Sequence, residues 1–325
     1  MMISRTLAAM FAVGLSISGA TAQEFPERQL TLIVPFPAGG PSDALGRAVA
    51  QAMAAHLKQS IIVENIGGAS GTIGLTKLLK APADGYSLGF GTIGTHVANV
   101  AFYKRLPYDP IADFEPVGLA GMASTLLVAK MDLPASNLHE FVTYARANGE
   151  KLTYGSAGVG SISHYACVLL LSNLKLSITH VPYRGIAPAM NDLMGGHVDF
   201  MCDQTTTALP QVLGGTIKAI AALSDQPLPQ APQISTTAEA GYPGVKLRSW
   251  NAIFVRRGTP VPVRQKLNDA LRAALVDPDV MRQMTAVGVE LPRGADLEPG
   301  AVSALIAQGL EHDVPVLRAK GEYLD

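Results

Sequence analysis

Cysteine, surplus charge of either sign and long apolar runs are all scarce in this chain. Lysine and arginine number 25 against 26 acidic residues in 325. That balance argues against nucleic acid, whose binders carry a basic excess. It leaves an anionic ligand open, because a site can be locally positive inside a neutral protein. Only two cysteines occur, Cys167 and Cys202. They are either a disulfide or two small buried side chains, and their separation in space decides which. The apolar run Leu7 to Ile17 falls short of the about 20 residues a membrane span needs.

Several catalytic and cofactor fingerprints are missing too. The loop after the first expected strand is not G-x-G-x-x-G, although Glu64 stands where a ribose-binding acid would. Gly158-Val159-Gly160 lacks the third glycine and has Ser163 instead, and no phosphate-binding G-x-x-x-x-G-K-[ST] occurs. Gly85-Tyr86-Ser87-Leu88-Gly89 matches the nucleophile-elbow pattern G-x-S-x-G. That chemistry needs a strand before the serine and a helix after it, whereas Ser87 here opens a strand. The seven histidines form no H-E-x-x-H pair. His164 and Cys167 share a helical face near Cys202-Asp203, but isolated polar groups of this kind are more often structural. No metal and no cofactor is expected.

What is present begins with a leader. Arg5 is the sole charge before Glu24, the apolar run follows, and Ala20-Thr21-Ala22 ends it. A basic start, a short apolar stretch and a small-residue cleavage site make residues 1–22 a secretory signal peptide. Its removal leaves 303 residues with formal net charge −2, periplasmic, soluble and without a cysteine near the new N-terminus for a lipid anchor.

The mature chain repeats one pattern: short apolar run, small-residue loop, helix-like stretch. Leu30–Val34 reads as a strand, then Pro35–Pro41 as a loop, with Ser42 capping a helix over Ala44–Leu57. Ile61–Glu64 and Ser87–Gly91 are further strands, with Thr72–Lys80 helical between them. The pattern restarts with strand Leu152–Gly155, loop Ser156–Gly160 and a helix through Leu171 capped by Ser161 or Ser163. Ile178–Pro182, Val198–Cys202 and Ile217–Leu223 are strands, and Ala187–Met194 is helical. Alternation of this kind is α/β and predicts a parallel sheet with helices on its faces. The apolar run Val117–Ala129 would carry the chain from one unit to the next. Gln226–Pro232 begins the return, Asn251–Val255 adds a strand to the first unit, and Val263–Leu275 and Ala301–Leu317 are helices.

Ligands of an open parallel sheet bind at the carboxyl ends of its strands, where helix N-termini present unpaired amides. Three loops fit: Pro35–Ser42, Gly67–Thr72 and Ser156–Ser163, with the amides of Pro35–Asp43 expected to grip an anion. Arg184 either forks onto a carboxylate or faces solvent. Asp43 would repel an anion and reads as structural. Asp199 and Asp203 flank a strand, and Trp250 reads as a packing residue near the hinge.

The ordered motifs Val34–Asp43, Val63-Glu64-Asn65, Ala83–Tyr86, Asp113–Val117, Tyr154–Gly158, Val181–Ala189, Asp192–Asp199 and Gly258-Thr259-Pro260 resemble the Bug family. Its members are the TctC-type periplasmic receptors of tripartite tricarboxylate transporters, and the resemblance spans the mature chain. It implies a type II periplasmic-binding-protein fold, with two α/β domains joined by a two-segment hinge around a central ligand cleft. Residues 23–123 and 227–325 would form domain one, and 124–226 domain two. It implies a non-catalytic receptor, expected as a monomer, for a small mono- or dicarboxylic acid. Its partners would be transporter subunits or, alternatively, a membrane sensor kinase; an exported hydrolase using His96 or His164 as base is the third reading. By the same resemblance, Phe36, Ala38, Gly39, Ser42, Gly71, Thr72, Thr92, Thr95 and His96 would meet the ligand from domain one. Ser156, Ala157, Gly158, Ser161, His164, Tyr183, Arg184 and Asp203 would face them. The chain departs from the family pattern at Ile66-Gly67, Val159, Ala252 and Arg256-Arg257. Val159 in place of a frequent polar residue makes a less polar pocket the expectation, one that favours an aromatic or aliphatic acid over citrate.

Overall fold

The computed structural model describes residues 25–319, and the expected signal peptide lies outside them. β1 (Leu30–Val34) is apolar and β-branched with four of its five residues buried, which suits a strand covered on both faces. Alternation follows through α1 (Pro41–Leu57), β2 (Ile61–Asn65), α2 (Thr72–Lys80) and β3 (Ser87–Thr92). A π-helical turn, Gly94–Ala98, runs into the short α3 (Asn99–Phe102). The long β4 (Phe114–Ala129) leads to α4 (Leu138–Asn148), β5 (Thr153–Ser156), α5 (Ile162–Leu174) and β6 (Thr179–Pro182). Then come α6 (Ile186–Met194), β7 (Phe200–Gln204), α7 (Thr205–Leu213) and β8 (Lys218–Ala222). β9 (Arg248–Arg256) returns, followed by α8 (Val261–Leu275), α9 (Pro278–Ala286), β10 (Val289–Glu290) and α10 (Pro299–Arg318).

The strands form one sheet in the order β2-β1-β3-β9-β4-β7-β5-β6, with β8 and β10 also pairing with β4. The expectation of a parallel sheet holds for each end but not for the middle. β1 is parallel to β2 and β3, and β5 is parallel to β6 and β7. β9 is antiparallel to both β3 and β4, and β4 is antiparallel to β7. The physical reason is the double crossing: a chain that leaves along β4 and returns along β9 must run the two in opposite senses. β4 changes partner midway. Phe114 to Ser124 pair with β9, and Thr125 to Ala129 pair with β7.

Apolar packing follows the sheet. One buried cluster runs the length of the molecule, from Leu75 and Phe102 through Phe254 and Trp250 to Cys167 and Phe200. The opposite face is split between a cluster around Leu45 and Phe90 and another around Met201 and Leu209. Cys167 of α5 and Cys202 of β7 form a disulfide, their Cα atoms 5.3 Å apart.

Three local readings change. Ser42 does not cap α1: Gly40 does, because Pro41 fills the first helical turn and needs no amide partner there. The strand expected at Val198–Cys202 lies two residues later. The amides of His197 and Val198 bond to Asp192 O, and the Asp199 carboxylate accepts from Thr153 N, so this stretch is a turn. Helices α4, α7 and α9 add to those expected from the sequence. In α7 the Thr205-Thr206-Thr207 run and Pro210 conceal the helix, since β-branched residues and interior proline both lower helical propensity.

Candidate ligand-binding site

The N-terminal ends of four helices meet at one cavity between the two parallel ends of the sheet. Gly40, Pro41 and Ser42 bring α1; Ser161, Ile162 and Ser163 bring α5; Gly185 and Ile186 bring α6; Asp203 and Gln204 bring α7. Thr92 and Ile93 after β3, Ser249 and Trp250 of β9, and Phe36, Pro37 and Ala157 complete the wall. Among the described residues, no lysine, arginine or histidine belongs to this lining. The field in the cavity is therefore set by backbone dipoles, each helix presenting about half a positive charge. The free space is about 40 Å³, room for a few waters.

Of the residues expected to meet a ligand, the structure brings Phe36, Ser42, Thr92, Ala157, Ser161 and Asp203 to this lining. The others lie outside it. The Gly39 amide donates to Asp43 Oδ2 at 2.9 Å, and the amides of Asp43 and Ala44 both bond to Gly40 O. Much of the amide set expected to grip an anion thus already has internal partners, as do the amides of Ala157, Gly158 and Gly160. Ala38 sits exposed in the same turn. Gly71 packs under Thr95 and Pro35, and Thr72 is buried at the start of α2. Thr95 Oγ1 bonds to Thr92 O and to His96 Nδ1. His96 stacks on Phe254 in the core, ring centroids 4.1 Å apart. Ser156 Oγ bonds to His180 Nε2, and His164 stacks on His180. Tyr183 donates its hydroxyl to Asp192 at 2.6 Å, and Arg184 is exposed.

Asp43 is structural in its contacts. Burial alone would raise its carboxyl, but bonds from Arg47, the Gly39 amide and Asn65 hold it below the usual carboxylate range. Its charge is neutralised on the flank of α1, away from the cavity. Gln204 and Ser249 carry polar groups that no motif in the sequence marks. Gln204 Nε2 donates to Ser249 Oγ at 2.8 Å, and Ser249 Oγ donates to Ala123 O at 2.9 Å. These links tie β7, β9 and β4 together where β4 changes partner. Only strand register brings them to the cavity, and one sequence carries no register signal.

Among the described residues, Asp203 is the lone titratable group in the lining. It is 1% exposed, Oδ2 accepts from Thr207 Oγ1, and Oδ1 has no protein partner. Burial pushes its carboxyl up to about 7, against the opposing pull of the Thr207 hydroxyl and the Gln204 amide.

The two walls touch. Ser70 Oγ donates to Val159 O across the opening, and Ser70 stands at φ 53°, a left-handed conformation that serine rarely holds without a fixed partner. Gly160, at φ 81°, lies so near Asn99 that an added Cβ would stand 2.7 Å from Asn99 Oδ1. These contacts and the small free volume describe a closed cleft.

The sequence profile of the tripartite tricarboxylate transporter family receptors matches residues 45–320. A UPF0065 protein encoded in the TAR-I ttuE-ttuC' intergenic region of Agrobacterium vitis is 36% identical, over 99% of this chain and 93% of its own length. The periplasmic binding protein BugD superposes with a TM-score of 0.88 at 36% identity, covering 92% of this chain and 99% of that one. MatC of Rhodopseudomonas palustris, solved with bound malate, superposes at 0.87 and 38% identity, covering 90% and 100%. The two-ended sheet, its double crossing and the cleft between its ends are thus shared with periplasmic binding proteins. Profile, sequence and fold agree that the chain belongs to the TctC (Bug) family of tripartite tricarboxylate transporter receptors, a family of solute-binding proteins rather than enzymes.

Proposed function

We propose that this chain captures a small mono- or dicarboxylate in the periplasm and hands it to a tripartite tricarboxylate transporter. The observation that carries the reading is the convergence of four helix N-termini on a cavity whose lining, among the described residues, has no basic side chain. Such a site favours an anion through oriented amide dipoles and hydroxyls, and holds it reversibly. Ser42, Thr92, Ser161, Ser163, Gln204 and Ser249 supply the polar contacts, while Phe36, Ile162, Ile186 and Trp250 cover the ligand's carbon chain. The solved relative that carries malate supports a dicarboxylate of about that size. The leader at residues 1–22 directs export, and the receptor divides at Ser124 and near Gln226 into the two jaws that close.

The test is a thermal-shift panel on the mature protein with succinate, malate, adipate, benzoate and amino acids. A binder at a hundredfold excess over its Kd raises stability by about 2.7 kcal/mol. The ligand should be recovered chemically unchanged. Silence across the whole acid panel, or turnover of any member, would overturn the reading.

A further inference from the structure

The cavity brings an anionic ligand and a buried carboxyl group into one small space. Asp203 Oδ1 has no protein partner, the side chain is almost wholly buried, and the lining carries no cation to share between two negative charges. The elements around it offer none either. α7 has no titratable side chain. On α5, His164 stacks on His180 outside the lining; on α1, Asp43 is bound by Arg47. Before α6, Arg184 is exposed; on β9, Arg248 pairs with Glu290; on β4, Glu115 pairs with Arg264 and Arg257.

Two carboxylates confined together in low dielectric cannot both stay ionised. Resting on the receptor reading above, we propose that Asp203 takes up a proton as a carboxylate enters, so that the site binds the anion and a proton together. The proton comes from bulk water and binds at Oδ1, while Oδ2 continues to accept from Thr207 Oγ1. The resulting O–H donates to a ligand oxygen, filling the hydrogen-bonding position at Oδ1 that the protein leaves open. A neutral Asp203 selects ligands that bring an acceptor oxygen there. A ligand that brings an ammonium group instead would pair with the ionised form and take up no proton. In the empty protein burial already holds the group at about 7, so little free energy separates its two states near neutrality.

Calorimetric titration of the mature protein with malate, in phosphate and in Tris at each pH, counts the protons. Uptake should approach one per malate at pH 8 and fall toward zero at pH 6. Malate affinity should weaken about tenfold per pH unit above pH 7, as linkage requires. Asp203→Asn keeps the shape and one donor, so it should bind malate with no proton uptake and with pH-independent affinity. Wild-type binding without uptake at pH 8 would overturn the inference while leaving the receptor intact, and so would undiminished uptake in Asp203→Asn. Where malate does not bind, the same titration is run with the acid of the panel that does; failure to bind any acid of the panel at every pH between 6 and 8.5 would remove the receptor reading and the inference with it. The wild-type buffer comparison decides the matter even where the variant folds poorly.

Discussion

At the scale of single residues, His96 and Asp203 set opposing pH slopes. Burial against Phe254 holds His96 down to about 3, from an ordinary value of 6.5. The unfolded chain therefore binds a proton that the folded chain refuses, and His96 gives stability above pH 6.5 that is lost as pH falls toward 3. Asp203 runs the other way. Its folded value of about 7 stands above the ordinary 3.8, so its contribution is greatest below pH 4 and is lost as pH rises through 7. Between pH 4 and 6.5 the two nearly cancel, each worth about 1.4 kcal/mol per pH unit. Asp203→Asn should therefore lose Tm steadily on acidification from pH 6.5 to 4.5, with the wild type losing less, as read by scanning fluorimetry. Parallel curves for the two proteins would contradict the buried acid.

At the scale of elements, α5 presents Ser161 and Ser163 to the cavity, and its position depends on β7. Ser161 caps the helix by accepting from His164 N, and the disulfide fastens Cys167 on α5 to Cys202, the residue before Asp203. One cross-link thus fixes two cavity-facing segments. The bridged residues are 35 apart in sequence, and the loop-closure entropy for that span is about 4 kcal/mol. The double variant Cys167→Ala, Cys202→Ala should lose about 2–4 kcal/mol in urea unfolding. A smaller loss would mean that the buried cluster on this face holds α5 without help. Both cysteines are visible in the sequence, and so is a cap at Ser161 or Ser163, but the pairing of the cysteines is not, because only the packing of α5 on β7 brings them together.

At the scale of the whole molecule, closure joins the parts. Ser70 meets Val159 and Gly160 meets Asn99 across the cavity's opening, and β4 changes partner between Ser124 and Thr125. Gly160→Ala puts a Cβ into that contact and strains a left-handed backbone, together about 1–2 kcal/mol against the closed state. The variant should bind, about tenfold more weakly, whichever acid of the panel stabilises the wild type. Small-angle scattering should show a smaller compaction on ligand addition than in the wild type. Trp250, buried in the cavity wall, should report the same closure by fluorescence. Unchanged affinity and compaction would show that the jaws do not meet at Gly160.

The sequence by itself determined the α/β class, most of the strands and helices, and the ordered motifs that mark the family. These are local signals: apolar runs of strand length, helical spacing, and small-residue turns between them. Tertiary structure alone decided which of those residues share a cavity. Phe36, Ser42, Thr92, Ala157, Ser161 and Asp203 reach the lining, whereas the similar loop residues Gly39, Gly71 and Gly158 turn their amides or backbones inward. Gln204 and Ser249 reach it from mid-chain positions without any motif. The mixed sheet was hidden for the same reason. Strand direction and register depend on how a chain that crosses twice pairs β4 with β9, 124 residues away at Ser124 and Arg248, and no local pattern encodes a partner that distant.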